Sequence, residues 1–182
     1  MSLHSFQVWL VTTIRGDSAI ADLMRTSWAW PIAESLHFLG LCLLVGAIGT
    51  FDLRLLGVAR RVPIAAVHRL IPWGLLGFAI NIVTGSMFVL TEPDQYIYNS
   101  SFHLKLLFMT IGGLNAATFY LTSYRDVFRA DASPDAPRRA KVIAAVSLFA
   151  WLAVITGGRL ITFYRPAPCE GEQTSLLLEC SP

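Results

Sequence analysis

The stretch IAESLHFLGLCLLVGAIGTFDLRLL, residues 32–56, is apolar over most of its length. It is longer than the roughly 20 residues that a helix needs to cross a bilayer. Its charged residues are Glu34 near the start and Asp52 and Arg54 near the end. Backbone groups in lipid must be hydrogen-bonded within the segment, so we expect a transmembrane helix. The continuous apolar run argues against a β-barrel strand, in which apolar and polar residues alternate.

Three further apolar segments follow the first one, at residues 70–90, 104–124 and 142–164. The chain of 182 residues is 54% hydrophobic and 14% charged, against roughly 25% charged residues in soluble domains. We therefore predict an all-α integral membrane protein, a four-helix transmembrane bundle with N-terminal interfacial helices. The predicted regions are outer-face helices at 1–30, the transmembrane domain at 31–165 and a C-terminal tail at 166–182.

The distribution of basic residues predicts the topology. The first and third links between spans are basic, with Arg54, Arg60, Arg61 and Arg69 in one, and Arg125, Arg129, Arg138, Arg139 and Lys141 in the other. The second link, TEPDQYIYNSSF (residues 91–102), has no Lys or Arg. Basic links favour the cytoplasmic side, so both termini lie outside. We interpret the arginines as topology signals and lipid contacts and expect no nucleic-acid binding.

Small and polar residues within the spans predict helix contacts. Gly74, Gly77, Asn81 and Gly85 form one stripe on the second span, and small residues allow close approach of another helix or of a flat cofactor. For Asn81, and for Asn115 on the third span, we expect hydrogen bonds between helices. Outside the membrane, Cys169 and Cys180 flank a short segment and are expected to form a disulfide, with a thiol metal pair as the alternative.

Three histidines lie near the ends of apolar segments: His37, His68 and His103. An ionisable residue at membrane depth is a functional candidate. The predicted topology places His37 and His103 near the outer face and His68 at the cytoplasmic edge. In an up-down bundle, the first and third helices are diagonal, so His37 and His103 would face each other across the core. That arrangement suits axial ligation of one haem, whereas His68 is interpreted as an interfacial residue.

Neighbouring residues complete the predicted haem site. Gly40 follows His37 by about one turn and would leave room for a porphyrin edge. Arg159 lies at a similar depth on the fourth span and is the predicted partner of a haem propionate, because guanidinium binds carboxylate in two places. Lys105 and Arg165 are weaker candidates for the same role.

Glu34 and His37 form a Glu-x-x-His pair. The carboxylate would orient the imidazole or handle protons at the outer mouth, and Glu34 is the candidate catalytic residue. The same spacing occurs in carboxylate-bound metal sites. An alternative is therefore a copper or non-haem metal site formed by Glu34, His37 and His103.

The chain resembles the small four-helix membrane cytochromes b of bacteria, including relatives of the superoxide- and quinone-reactive cytochromes and the copper-resistance membrane proteins. The resemblance is carried by His37 and His103, by WPIAESLHFLG (30–40) and by ITGGRLITFYRP (155–166). It implies an inner-membrane protein with periplasmic termini that exchanges electrons with a quinone or a periplasmic partner. The dihaem members need four axial histidines, so three imply one haem b per chain.

Two consequences of this hypothesis stay open. If one histidine is a loose ligand, the free position would bind a small gas or oxidant and the protein would be an oxidoreductase. Because the chain has no soluble domain, we expect it to act with partners or as a homo-oligomer.

Overall fold

The computed structural model of the protein describes residues 3–14, 19–129 and 135–164. Every regular element in these ranges is a helix, which confirms the all-α fold. In chain order the elements are α1 (Leu3–Ile14), α2 (Ala19–Met24), α3 (Ala29–Leu56), α4 (Ile64–His68), α5 (Ile71–Thr91), α6 (Pro93–Ile97), α7 (Ser100–Thr118), a π-helical turn (Phe119–Ser123), α8 (Tyr124–Arg129) and α9 (Arg138–Leu160). Cys169 and Cys180 lie outside the described residues.

Four helical stretches are long and apolar enough to cross a membrane, as predicted. They are Ala29–Leu56, Ile64–Thr91, Ser100–Arg129 and Arg138–Leu160. Large apolar side chains point outward from them: Leu121 is 85% exposed, and Leu114 and Phe149 are each 65% exposed. Since a soluble protein rarely exposes so much contiguous apolar surface, these faces suit contact with lipid.

Helices α3 and α5 pack against each other through glycine. A methyl group added to Gly40 would lie 2.9 Å from the Gly77 carbonyl oxygen, and one added to Gly77 would meet the Gly40 carbonyl oxygen. Without side chains at these two positions the backbones come into direct contact. The predicted stripe on α5 is therefore a packing surface, and Asn81 donates within α5 to Gly77 at 2.8 Å rather than to another helix.

Helix α9 packs against both α3 and α7, whereas α5 and α7 do not form a close pair. The indole of Trp151 packs against Gly112 of α7, and its nearest atoms would lie 3.4 Å from a Cβ added at Gly112. The Asn115 amide donates to the Ile143 carbonyl at 2.9 Å, which confirms the hydrogen bond between helices expected for it. The bundle is thus closely packed on three of its four sides.

One end of the bundle gathers the short helices. Val11 of α1 packs with Ile97 and Tyr98 after the second span. Asn99 caps α7 by accepting from the Ser101 amide at 2.9 Å, and its side-chain amide donates to the carbonyls of Ile161 and Tyr164 at 3.1 and 2.7 Å. The N-terminal helices and the second link, which has no Lys or Arg, therefore lie at the same end, as the predicted topology requires.

The two basic links meet at the opposite end. Buried Arg54 donates to the carbonyls of Val62 and Arg60 at 2.6 and 3.1 Å, so it closes the first link in addition to carrying charge. Gly57 ends α3 with a φ of 104°, a left-handed conformation that favours glycine. Asp135 joins the links, with its Oδ1 3.5 Å from Arg60 and 3.4 Å from Lys141.

The glycine contact predicts a large difference between two single-methyl substitutions. Gly77→Ala places a methyl group 2.7 Å from the Leu44 backbone nitrogen, so we expect a loss of about 1–3 kcal/mol of stability from overpacking. Gly113→Ala is the control, because no described atom beyond its own helix backbone and chain neighbours lies within 4 Å of the added Cβ. Thermal unfolding in detergent should show a lower Tm for Gly77→Ala alone, and equal Tm values would contradict the packing described.

Candidate functional site

His37 is held in the half of the bundle nearer the N-terminal helices by a hydrogen bond between α3 and α5. It lies on α3 about two turns after Ala29, and its ring is half-buried. Its Nδ1 lies 2.7 Å from the Oγ1 of Thr84 on α5. The ring also contacts Phe88, with centroids 5.6 Å apart, and its Cε1 would lie 3.6 Å from a Cβ at Gly85.

The bonding of Thr84 fixes which nitrogen of His37 carries the proton. The Thr84 hydroxyl donates its only hydrogen to the Ile80 carbonyl at 2.7 Å, because a carbonyl can only accept. Thr84 Oγ1 must then accept from His37, so the proton is on Nδ1. Nε2 keeps its lone pair. A second group that holds Nδ1–H and leaves Nε2 free is the usual arrangement for a histidine that binds a metal or haem iron.

Lys105 of α7 places a positive charge near His37. The ammonium is close enough to the imidazole for electrostatic interaction. The side chain is half-buried against α9. A Cβ added at Gly158 would lie 3.6 Å from the Lys105 Nζ, and a Cβ added at Gly157 would lie 3.4 Å from the Lys105 Cβ. Within the described part of the chain, the ammonium has no carboxylate or carbonyl partner. An unpaired cation in an apolar bundle favours an anionic group beside it.

The other predicted ligands are not brought to His37. His103 and Glu34 are exposed. On a helix two residues apart differ by roughly 200°, so His103 projects from α7 away from Lys105. The Arg159 guanidinium is also exposed and lies over the Phe163 ring, 5.5 Å from its centroid.

Gly40 serves helix packing rather than an open space. It is buried, and an added Cβ would lie 2.7 Å from the Asn81 amide nitrogen. Helix α5 therefore fills the space beside Gly40 that was predicted to hold a porphyrin edge. Gly85 lies about two turns after Gly77 on the same face of α5. A Cβ added at Gly85 would contact the His37 ring.

A cluster suited to a bare metal ion is not found in residues 3–14, 19–129 and 135–164. No three His, Cys, Asp or Glu side chains in these ranges come together. Glu34, His37 and His103 thus do not form a ready ligand set, and the nearby ammonium of Lys105 disfavours a further cation.

His68 lies at the opposite end, in a group of aromatic rings. Its Nε2 is 3.2 Å from the Tyr120 hydroxyl oxygen, which the π-helical turn presents. The ring centroids of Phe51, Tyr124 and Phe128 lie 5.5, 5.7 and 5.0 Å from the imidazole. These contacts agree with an interfacial histidine, and π-helical turns are frequent near functional positions.

Comparison with known protein families finds a match over most of the chain. Residues 20–164 match a family of unknown function, DUF6644. The chain belongs to this family. The match includes the four long helices and His37, Thr84 and Lys105. No curated protein matches this DUF6644 chain. No solved structure matches it either.

Thr84 was not predicted from the sequence as a site residue, and Lys105 was predicted only as a weaker candidate for a propionate partner. Thr84 lies seven residues after Gly77, on the face of α5 that meets α3, so the glycine stripe carried the signal. Lys105 lies beside Gly157 and Gly158 of α9. The direction in which its side chain leaves α7 depends on which face of α7 meets α9.

The hydrogen bond to Thr84 predicts a specific effect of Thr84→Val. We expect a loss of about 0.5–1.5 kcal/mol of stability and loss of the preference for Nδ1–H. Nitrogen NMR of histidine-labelled protein without added haem measures this preference. Thr110→Val is the matched control, because Thr110 makes the same bond to its own helix, at Leu106, and is exposed. A His37 signal unchanged in Thr84→Val would contradict the assigned tautomer.

Proposed function

We propose that this DUF6644 protein is a membrane b-type haem protein with His37 as an axial ligand. The observation that carries the proposal is the half-buried imidazole whose Nδ1–H is held by Thr84 and whose Nε2 has no hydrogen-bond partner among the described residues. Haem supplies one-electron redox chemistry when bound. The protein's part is to hold the iron ligand, pair the propionates and keep water from the site.

Lys105 supports haem over a bare metal ion. A haem brings two carboxylates as well as iron, and an ammonium near His37 suits one of them. The same charge repels a free copper or iron ion. The alternative function, a transition-metal site at Glu34, His37 and His103, is therefore the less favoured proposal, and elemental analysis of purified protein distinguishes it from haem binding.

The second axial ligand stays a prediction. His103 was expected to bind the opposite face of the iron, but its ring is exposed on the side of α7 turned from Lys105. Binding the same iron requires rotation of α7 or of the side chain. Arg159 likewise remains a predicted propionate partner, with Lys105 better placed for that role.

We propose that the protein lies in a bacterial inner membrane with both termini in the periplasm. The support is the meeting of both basic links at one end of the bundle and the absence of Lys and Arg from residues 91–102. His37 then lies in the outer half, where a quinone in the outer leaflet or a periplasmic protein would exchange electrons with the haem. Glu34, exposed one turn before His37, would handle the accompanying protons, and association into a homo-oligomer is a further expectation.

We expect His37→Ala to abolish haem binding, because it removes the imidazole that the hydrogen bond to Thr84 holds between α3 and α5. Haem per chain is measured by pyridine haemochrome after haem-supplemented expression and gel filtration of the folded fraction. His68→Ala is the control at the other end of the bundle and should keep full haem content. Normal haem content in His37→Ala would contradict the proposal.

His103→Ala tests the second ligand in the same preparation. A change of the spectrum from six- to five-coordinate haem would support ligation by His103. An unchanged spectrum would exclude His103 as the second ligand while leaving His37 in place.

We expect Lys105→Met to weaken haem binding without abolishing it. A hydrogen bond to a charged group contributes about 1.5–3 kcal/mol, so the Kd should rise roughly tenfold to a hundredfold. Haem titration of the haem-free protein measures the Kd. Lys141→Met is the control, because Lys141 pairs with Asp135 at the other end. Equal affinity in the two variants would contradict the role given to Lys105.

A further inference from the structure

Asp52 is a carboxylic acid buried between two membrane-length helices. Asp52 lies on α3 about one turn before Leu56, and it is only 4% exposed. Ala144 and Ser147 of α9 are buried on the facing helix, which packs against α3. Phe51 and Leu55, its neighbours on α3, belong to the apolar cluster at this end. The surroundings are therefore largely apolar.

The carboxyl is incompletely satisfied. The buried Ser147 side chain of α9 is close enough to interact with it. The other oxygen, Oδ2, is buried and accepts from no group in the described part of the chain. A buried carboxylate normally accepts several hydrogen bonds or pairs with a cation. Asp52 has at most the single hydroxyl.

The nearby charged groups are engaged elsewhere or exposed to solvent. Arg54 donates to the carbonyls of Val62 and Arg60, and Lys141 pairs with Asp135. His68, at the end of α4, meets Tyr120, and Arg138 and Arg139 at the start of α9 are exposed. Helix α5 has no Asp, Glu, Lys, Arg or His, and Asp22 of α2 pairs with Arg25 at the other end.

We infer that Asp52 is a proton-binding site, and that its carboxyl carries a proton at neutral pH. An ionised carboxylate without a cation is costly in an apolar interior, and a bound proton removes that charge. Ser147 then donates to the carbonyl oxygen of the acid, while Oδ2 carries the bound proton. The inference goes beyond haem binding and does not depend on it, because Asp52 and His37 lie in opposite halves of α3.

Infrared spectroscopy of the purified protein in lipid vesicles tests this directly. A protonated carboxylic acid has a C=O stretching band, separate from the bands of carboxylate, that shifts in deuterated water. We expect this band in the wild type at neutral pH and its loss in Asp52→Asn, which keeps the shape of the side chain. Asp126→Asn is the matched control, because Asp126 on α8 is exposed, and it should keep the band.

Ser147→Ala provides a second test in case Asp52→Asn does not fold. Removal of the hydroxyl takes a hydrogen bond from the acid carbonyl, so the band should move to higher frequency. Absence of the band from the wild type at neutral pH would overturn the inference, since Asp52 would then be ionised. A band that survives Asp52→Asn, or that does not shift in Ser147→Ala, belongs to another group and would also overturn it.

Discussion

The direct contact between the α3 and α5 backbones at Gly40 and Gly77 sets the geometry of the half of the bundle nearer the N-terminal helices. His37 lies three residues before Gly40, and Thr84 lies seven after Gly77, so both side chains leave their helices on the faces that the glycines bring together. The 2.7 Å bond between them follows from that spacing. A side chain at either glycine would move the helices apart and leave the imidazole without its acceptor.

Charged and polar side chains are paired differently at the two ends of the bundle. In the half nearer the N-terminal helices, an imidazole and an ammonium lie near each other without a counter-charge among the described residues, which favours an anionic cofactor. In the other half, Arg54 and Lys141 are engaged within the protein, and Asp52 is left with a single hydroxyl beside it. An electron site at one end and a proton site at the other would together allow redox change to be accompanied by charge compensation.

Much of the fold could be predicted because it depends on segment length and composition. Four apolar stretches predicted four helices, and the glycines of the second span predicted its packing face. The site was less accessible. His37 was identified because an imidazole at membrane depth is unusual, but its pairing with His103 assumed that α7 turns that face inward. The faces of α7 that meet α9 are set by Gly112 against Trp151 and by Asn115 against Ile143, and they direct Lys105 toward the core. Such a rotation depends on contacts with another helix, which the pattern of α7 alone does not specify.

Haem binding at His37 is tested by the visible absorption spectrum of the wild-type protein, oxidised and then reduced with dithionite. We expect a sharp α-band on reduction and about one haem per chain after haem-supplemented expression. A folded, colourless protein from the same expression would contradict haem binding at His37.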